Sequence, residues 1–380
     1  MRLRADVAVI GAGPAGAAAA VTLARGGARV VLCDRAVFPR DKVCGDGLLP
    51  DALALLAQLG VEEAQSAGWS VGSVCFRTKG GVELSLPVPA RVLHRHRLDN
   101  GLVAAAAAAG AKVLGGASLT QGASRAGGIE TVTLARGEEV VEVAAEAYVV
   151  ATGAGGGARR MLGLPPLPPS AVAVRGYGEL DRLAPEALWI SLDGAPAGGY
   201  AWAFPVSATQ WNVGCGVFFG PGQGHVLRAS LASFSAACGG RGLAEVRGAP
   251  LATAYPRVVV GRGNVLAVGD AAGLARPLSG EGVGPALESG VLAARCLLAH
   301  PGAAGVAAYR TQLRARFARE QQAWRLGERL LRVPRLLEVL FASAASSPPV
   351  QRRLALVLEG RAPARSVLSP LGLLRIYLGR

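Results

Sequence analysis

Three glycines restrict this chain more than any other feature. Gly11, Gly13 and Gly16 stand in a GxGxxG spacing behind the apolar run Val7 to Ile10 and before an Ala-rich stretch that ends near Arg25. That order reads as strand, tight turn and helix, with Arg29 to Cys33 as the next strand, so the chain opens as a βαβ unit. The first glycine permits the turn, the second lets backbone N–H groups approach a pyrophosphate, and the third allows the helix to pack close to the strand. The start of the helix adds roughly half a unit of positive charge. Asp34, 18 residues beyond Gly16, ends the second strand and can accept hydrogen bonds from the ribose of an adenosine.

Further elements belong with this unit: a helix over Leu98 to Ala109, a strand near Lys112 to Leu114, and a strand over Ala147 to Ala151 that closes on Thr152 and Gly153. Gly153, Gly155 and Ala158 repeat the glycine spacing, but Arg159 to Gly163 and the prolines through Pro169 leave no room for the helix a second nucleotide would need. That segment reads as a crossover loop. From Val172 the pattern changes to β-forming runs bounded by Gly and Pro: Val172 to Gly178, Leu188 to Leu192, Tyr200 to Phe204 and Trp211 to Phe219. These predict an antiparallel sheet, after which a strand at Val265 to Val268 and a helix at Val283 to His300 return to the α/β pattern.

A chain of 380 residues has room for two or three packed units. The expected fold is α/β. A Rossmann-type nucleotide domain is built from residues 1–165 and 255–300, with a short excursion near 70–92. An antiparallel-sheet substrate domain over 166–254 is inserted into it, and 301–380 forms a helical, basic C-terminal region.

An apolar share of 51% excludes disorder. Residues 301–380 carry 14 Arg against 4 Glu, which holds most of the net charge of +14. Leucines between those arginines fit an anionic membrane surface; a solvated helix face is the plain alternative. The aromatic platforms expected for single-stranded nucleic acid are missing there, so no nucleic-acid partner is expected. The start of the chain does not read as a secretory signal. The longest uncharged stretch, Gly194 to Gly224, is broken by Pro196 and Pro205 and cannot be a spanning helix. Six scattered cysteines without CxxC spacing argue against a zinc site and a disulfide framework. The expectation is a cytoplasmic protein, perhipheral to the membrane if the basic region docks there, with no bound metal.

Gly269 and Asp270 follow the late strand, and Gly280, Glu281 and Gly282 precede Val283 at the start of the last helix of the α/β pattern. A carboxylate at a strand end suits a polyol hydroxyl, and a helix start after glycines suits a carbonyl that becomes partly anionic. Together they describe a flavin better than a nicotinamide; helix capping is the simpler use of Asp270 alone.

With these residues in place, the sequence is similar to the geranylgeranyl reductase family of FAD-dependent oxidoreductases, within the para-hydroxybenzoate hydroxylase-like group. Four stretches carry the likeness: the GxGxxG turn with Asp34 and Arg35; Phe38, Pro39, Arg40, Lys42, Cys44 and Gly45; Tyr200, Trp202, Phe204 and Pro205 followed by Asn212, Val213 and Gly214; and Gly269, Asp270 through Pro277, Gly280, Glu281 and Gly282 to Gly290. The resemblance implies FAD held between the domains, with reduced N5 giving hydride to double bonds of a polyprenyl chain. It implies Cys44 beside the isoalloxazine, where a small buried hydrophobe is the alternative. It also implies Arg95 and Asp99 at the helix under the cofactor, where simple charge at a helix start is the rival reading.

Tyr200, Trp202 and Phe204 alternate along one strand and so share a face. They suit a channel for an apolar or lipid substrate, with a stretch of core as the alternative. Cys44, Tyr200 and Trp202 are the candidate catalytic residues, Cys44 or a water supplying the proton. The donor would be NAD(P)H or another reductant. The runner-up activity is a flavin monooxygenase or halogenase-like enzyme. Thr152 before Gly153 and Gly273 after Asp270 depart from the flavin hydroxylase pattern, and the stretch Ser279 to Gly282 departs from that of the halogenases.

Overall fold

The computed structural model describes residues 1–218 and 224–379, the side chains at 125, 224 and 225 excepted. Phe219, the expected end of one strand, and part of the uncharged stretch lie outside the described residues.

The opening strand, Arg2–Ile10, runs parallel to Val30–Asp34 on one side and to Glu139–Val150 on the other. Lys112–Gly115 and Val265–Ala267 extend this layer, and Gly261–Arg262 closes one edge. Where the parallel strands pair in the centre of this layer they are apolar, as in Val7–Ile10, Val30–Cys33 and Ala147–Val150, as buried strands of an α/β layer must be. The long strand Glu139–Val150 divides its outer edge between two partners. Its first half pairs antiparallel with Gly128–Arg136, which continues into Ser118–Arg125, and its last residues pair with Val265–Ala267.

Three helices cover the sheet: Pro14–Arg25, Arg95–Ala108 and Val283–Ala299. The first and last approach so closely that a Cβ on Gly290 would lie 2.2 Å from the carbonyl oxygen of Ala15. This contact brings the late helix, far away in sequence, beside the glycine turn. The parallel layer and these helices share one large apolar core.

A second sheet of seven strands runs in the order Arg241–Leu251, Ala171–Glu179, Gln210–Val217, Gly199–Pro205, Ala187–Ser191, Ser73–Arg77 and Glu83–Leu86. It is antiparallel except where Ala187–Ser191 meets Ser73–Arg77 in a parallel pair. The sequence pattern predicted a wholly antiparallel sheet; a strand drawn from the distant 73–77 segment makes the exception. A helix absent from the expectation, Gly224–Ala237, packs on this sheet against Ala171–Glu179 and Gln210–Val217.

The C-terminal region is helical: Gly302–Leu330, Pro334–Ala345, Pro348–Leu358 and Pro370–Tyr377. Ser347 and Ser369 cap the last two through hydrogen bonds from Val350 and Gly372 N–H. These helices are not a detached basic appendix. Trp324, Leu340, Ala344, Val357 and Ile376 form an apolar cluster with Val74, Leu84 and Leu86 of the second sheet.

Candidate functional site

A single cavity of about 1180 Å³ runs from the glycine turn to the C-terminal helices. That exceeds the roughly 300–1,000 Å³ of a usual small-molecule pocket and leaves room for a cofactor and a substrate together.

At one end the walls are polar and built from backbone. Gly11 has φ of 106°, and a Cβ there would lie 2.4 Å from Ala151 O; one on Gly16 would lie 1.8 Å from Gly11 O. A Cβ on Gly13 would meet only Arg40 Nη2, at 3.8 Å. Two of the glycines are thus demanded by packing, whereas the third faces open space. The helix Pro14–Arg25 starts at Gly13 with no side-chain cap, so its first N–H groups are free to bind an anion. Asp34 Oδ2 accepts from Ala12 N–H at 2.7 Å and Oδ1 from Ala36 N–H at 2.9 Å. These bonds fix the carboxylate while its outer lone pairs remain open towards the cavity, whose wall it shares with Arg35.

Positive charge gathers beside the turn. Asp99, fully buried, accepts from Arg95 at 2.9 and 2.8 Å and from Arg40 at 2.6 Å. One carboxylate between two guanidiniums leaves a surplus cation under the site of an anionic ligand. Burial works against the charge on Arg95, but Asp99 and the nearby Cys44 outweigh it and hold its pKa above the ordinary value. Thr152 and Gly153 line the same wall, and the segment behind them forms only a short helix, Gly157–Met161.

On the opposite side Asp270, Gly280, Gly282 and Val283 reach the cavity. Gly269 packs behind Asp270, where a Cβ would crowd Ala15 at 2.9 Å. Burial raises the pKa of Asp270, with Lys42 and Arg95 opposing. The helix Val283–Ala299 has no side-chain cap at Gly282; Gly284 N–H instead donates to Glu281 Oε1 at 2.7 Å. Arg276 fastens that turn, donating to Asp51 Oδ2 at 2.6 Å and lying 3.1 Å from Glu281 Oε2.

The middle of the cavity is aromatic. Tyr200, Trp202 and Phe204 line it from one strand face, with ring centroids 6.2 and 6.4 Å apart. Tyr200 donates to Ser279 O and Trp202 Nε1 to Asn212 Oδ1 at 3.0 Å. Gly214 on the neighbouring strand is what lets Trp202 lie flat, since a Cβ there would sit 2.0 Å from its ring. Cys44 and Gly45 cross this wall, a Cβ on Gly45 being 3.2 Å from both Trp202 and Phe204. Burial pushes the Tyr200 hydroxyl above its ordinary range, so it stays a neutral donor.

Beyond the aromatics the cavity becomes an apolar chamber. Leu86, Leu188, Leu278, Leu340, Phe341 and Ile376 are typical of its wall, and the C-terminal helices contribute no charged side chain to the lining. The sequence pointed to the glycine turn, Asp270 and the aromatic strand, but not to this chamber. Its only signal was the helical spacing of Leu337, Leu340, Phe341 and Ala344, just past Arg332 and Arg335.

Known proteins match most of this chain. A family model described as FAD binding domain matches residues 4–175. Menaquinone reductase of Mycolicibacterium smegmatis is 32% identical over 374 residues, covering 89% of this chain and 87% of that protein. Digeranylgeranylglycerophospholipid reductase 1 of Methanopyrus kandleri is 32% identical over 308 residues, covering 76% of this chain and 79% of its own length. In fold, a geranylgeranyl bacteriochlorophyll reductase-like protein from Thermoplasma acidophilum superposes with a TM-score of 0.82 at 20% identity, over 100% of both chains.

Proposed function

Since the chain belongs to the geranylgeranyl reductase family of FAD-dependent oxidoreductases, we propose that it saturates carbon–carbon double bonds of an isoprenoid chain carried by a lipid or quinone. One observation carries this reading: the polar end of the cavity, fit for a dinucleotide, opens without a break into a chamber lined only by apolar side chains.

The residues fit FAD. Open space at Gly13, the uncapped helix start and the Arg40–Arg95 cations suit its pyrophosphate, and the fixed Asp34 carboxylate suits its ribose. Asp270 and the helix start at Gly282 and Val283 suit its polyol and ring carbonyl. FAD, reduced by NAD(P)H or another donor, supplies the hydride.

Everything else falls to the protein. Protonation of an isolated alkene leaves positive charge on the adjacent carbon until the hydride reaches it, and the faces of Trp202 and Tyr200 would stabilise that charge. Their fixed hydrogen bonds to Asn212 and Ser279 hold the ring planes in place. The apolar chamber positions the chain and excludes water from the reacting carbons. Cys44 lies in the cavity wall at the aromatic step, where the flavin ring and the chain would meet.

The C-terminal helices support access from a lipid surface. No helix among the described residues is long and apolar enough to cross a membrane. Yet Val333, Leu336, Val339, Leu371, Leu374, Tyr377 and Leu378 are exposed on or beside Pro334–Ala345 and Pro370–Tyr377, the helices whose inner faces line the chamber. Ser343 Oγ ties the two together by donating to Ile376 O at 2.6 Å. With exposed Arg335 and Arg375 among these side chains, the outer faces suit an anionic bilayer.

The test is anaerobic. Dithionite-reduced holoenzyme is mixed with a polyprenyl quinone or lipid, and the product is read by mass spectrometry. A gain of two hydrogens per double bond is expected. An unchanged lipid, or a hydroxylated product formed only with dioxygen, would overturn the reading.

A further inference from the structure

The carboxyl group of Asp46 lies two residues beyond Cys44 and serves none of the roles above. It is 1% exposed, yet it belongs to the cavity wall. Its Oδ2 accepts from Tyr177 Oη at 2.5 Å and from Asn212 Nδ2 at 2.8 Å, whereas its Oδ1 is buried with no protein partner. With Oδ2 accepting from two donors, the resting proton of neutral Asp46 is placed on Oδ1.

The network reaches solvent in one direction. Tyr177 Oη, having given its hydrogen to Asp46, is left as an acceptor for His94 Nδ1 at 3.1 Å. The His94 side chain is 32% exposed. In the other direction Asn212 ties the carboxylate to the site, donating from Nδ2 to Cys44 O at 2.8 Å and accepting from Trp202 Nε1. Tyr177 and Asn212 are direct partners across two antiparallel strands, so the sheet register itself builds the line.

We propose that His94, Tyr177 and Asp46 form a proton conduit from solvent to the cavity wall beside Cys44. The inference rests on the reductase reading above. Each saturated double bond takes up one hydride, supplied by the reduced flavin, and one proton, supplied by water. In one passage Oδ1 releases its proton into the cavity, Tyr177 passes its hydroxyl proton to Oδ2, His94 passes the Nδ1 proton to Tyr177, and a water protonates His94 at Nε2, after which exchange with solvent at the half-exposed ring returns the Nδ1–H tautomer. Rotation of the carboxyl then returns the proton to Oδ1. No charge is left behind.

The surroundings favour neutral carriers. Burial raises the pKa of Asp46 against the hydrogen bonds from Tyr177 and Asn212 and the charges of His94 and Arg95. Burial lowers that of His94, with Asp46 opposing, His96 and Arg175 adding to it, and Asp41 opposing. Tyr177 is held above its ordinary range by burial and by Asp46, although the Arg175 guanidinium, 4.4 Å over its ring, pulls the other way and Asp41 assists.

The decisive variant is Asp46→Asn, which can keep the acceptor for Tyr177 and Asn212 but cannot carry a proton. Two measurements separate this proposal from the reductase reading. The first needs no substrate: the infrared difference between wild-type and Asp46→Asn holoenzyme near neutral pH is expected to show one protonated carboxyl band. The second is single-turnover reoxidation of the reduced flavin by polyprenyl lipid. For Asp46→Asn and Tyr177→Phe, with flavin content equal to wild type, the rate should fall on the order of 10²-fold with an altered pH profile. Imidazole in the buffer should restore part of the rate to His94→Ala.

If wild-type enzyme leaves the lipid unchanged, the reductase reading fails and the infrared band alone decides whether Asp46 holds a proton. A missing band overturns the conduit. So does an Asp46→Asn enzyme that turns over at the wild-type rate across the pH range.

Discussion

Gly13→Ala separates binding from folding at the glycine turn. Gly13 has φ of −73° and ψ of −176°, a conformation open to alanine, and its added Cβ would meet only the far end of Arg40 at 3.8 Å. The apo protein should therefore keep its stability or gain about 0.4–1 kcal/mol from the stiffer unfolded chain. The methyl would instead occupy the space through which the turn's N–H groups reach a pyrophosphate. Losing one charge-assisted hydrogen bond costs about 1.5–3 kcal/mol, roughly 10- to 150-fold in Kd. For a hundredfold loss, FAD at a thousand times the wild-type Kd would stabilise the variant by about 1.4 kcal/mol, against about 4.1 kcal/mol for wild type. Thermal melts of apo and FAD-loaded protein, with flavin fluorescence titration, measure both quantities. Gly16→Ala is the control, because its Cβ would lie 1.8 Å from Gly11 O and must disturb the apo fold itself. A Gly13→Ala protein that binds FAD like wild type would refute the reasoning.

Three further outcomes are expected. Ala344→Trp, on the chamber wall, should lower kcat/KM for long polyprenyl chains by about tenfold or more while flavin content stays unchanged, a difference of ~1.4 kcal/mol in the barrier; equal turnover of long and short chains would count against the chamber. The double variant Leu371→Glu and Leu374→Glu removes two half-exposed side chains from the outer face, and sedimentation with anionic liposomes should fall about tenfold or more; unaltered sedimentation would remove the docking surface. Asp46 binds more protons folded than unfolded between the ordinary carboxylate pKa and its raised folded value, so stability falls as pH rises through that window. Asp46→Asn should abolish that fall, up to about 1.4 kcal/mol per pH unit, and denaturant melts over pH would expose a slope that persists.

The elements legible in the sequence were those whose signals are local. Gly11, Gly13, Gly16 and Asp34 lie within one βαβ unit, and Tyr200, Trp202 and Phe204 share a strand whose alternation fixes their common face. The hidden parts depend on distant pairings. Asp46 meets Tyr177 and Asn212 across separations of 131 and 166 residues, which no local pattern reports. The parallel pair joining Ala187–Ser191 to Ser73–Arg77 is of the same kind. The C-terminal helices misled for another reason. Their arginines dominate the charge, but charge records what faces water, while the chamber is formed by the opposite faces. Several of those arginines also turn inward or pair, as Arg325 does with Thr253 O and Tyr255 O and Arg316 with Glu288.

A crystal structure of the holoenzyme with a polyprenyl lipid tests the central claim most directly. The account predicts a pyrophosphate over Gly13, an isoalloxazine beside Cys44 and Trp202, and the chain extending between Leu340, Phe341 and Ile376. Density for the chain outside those helices, or a flavin whose pyrophosphate lies away from the glycine turn, would contradict it.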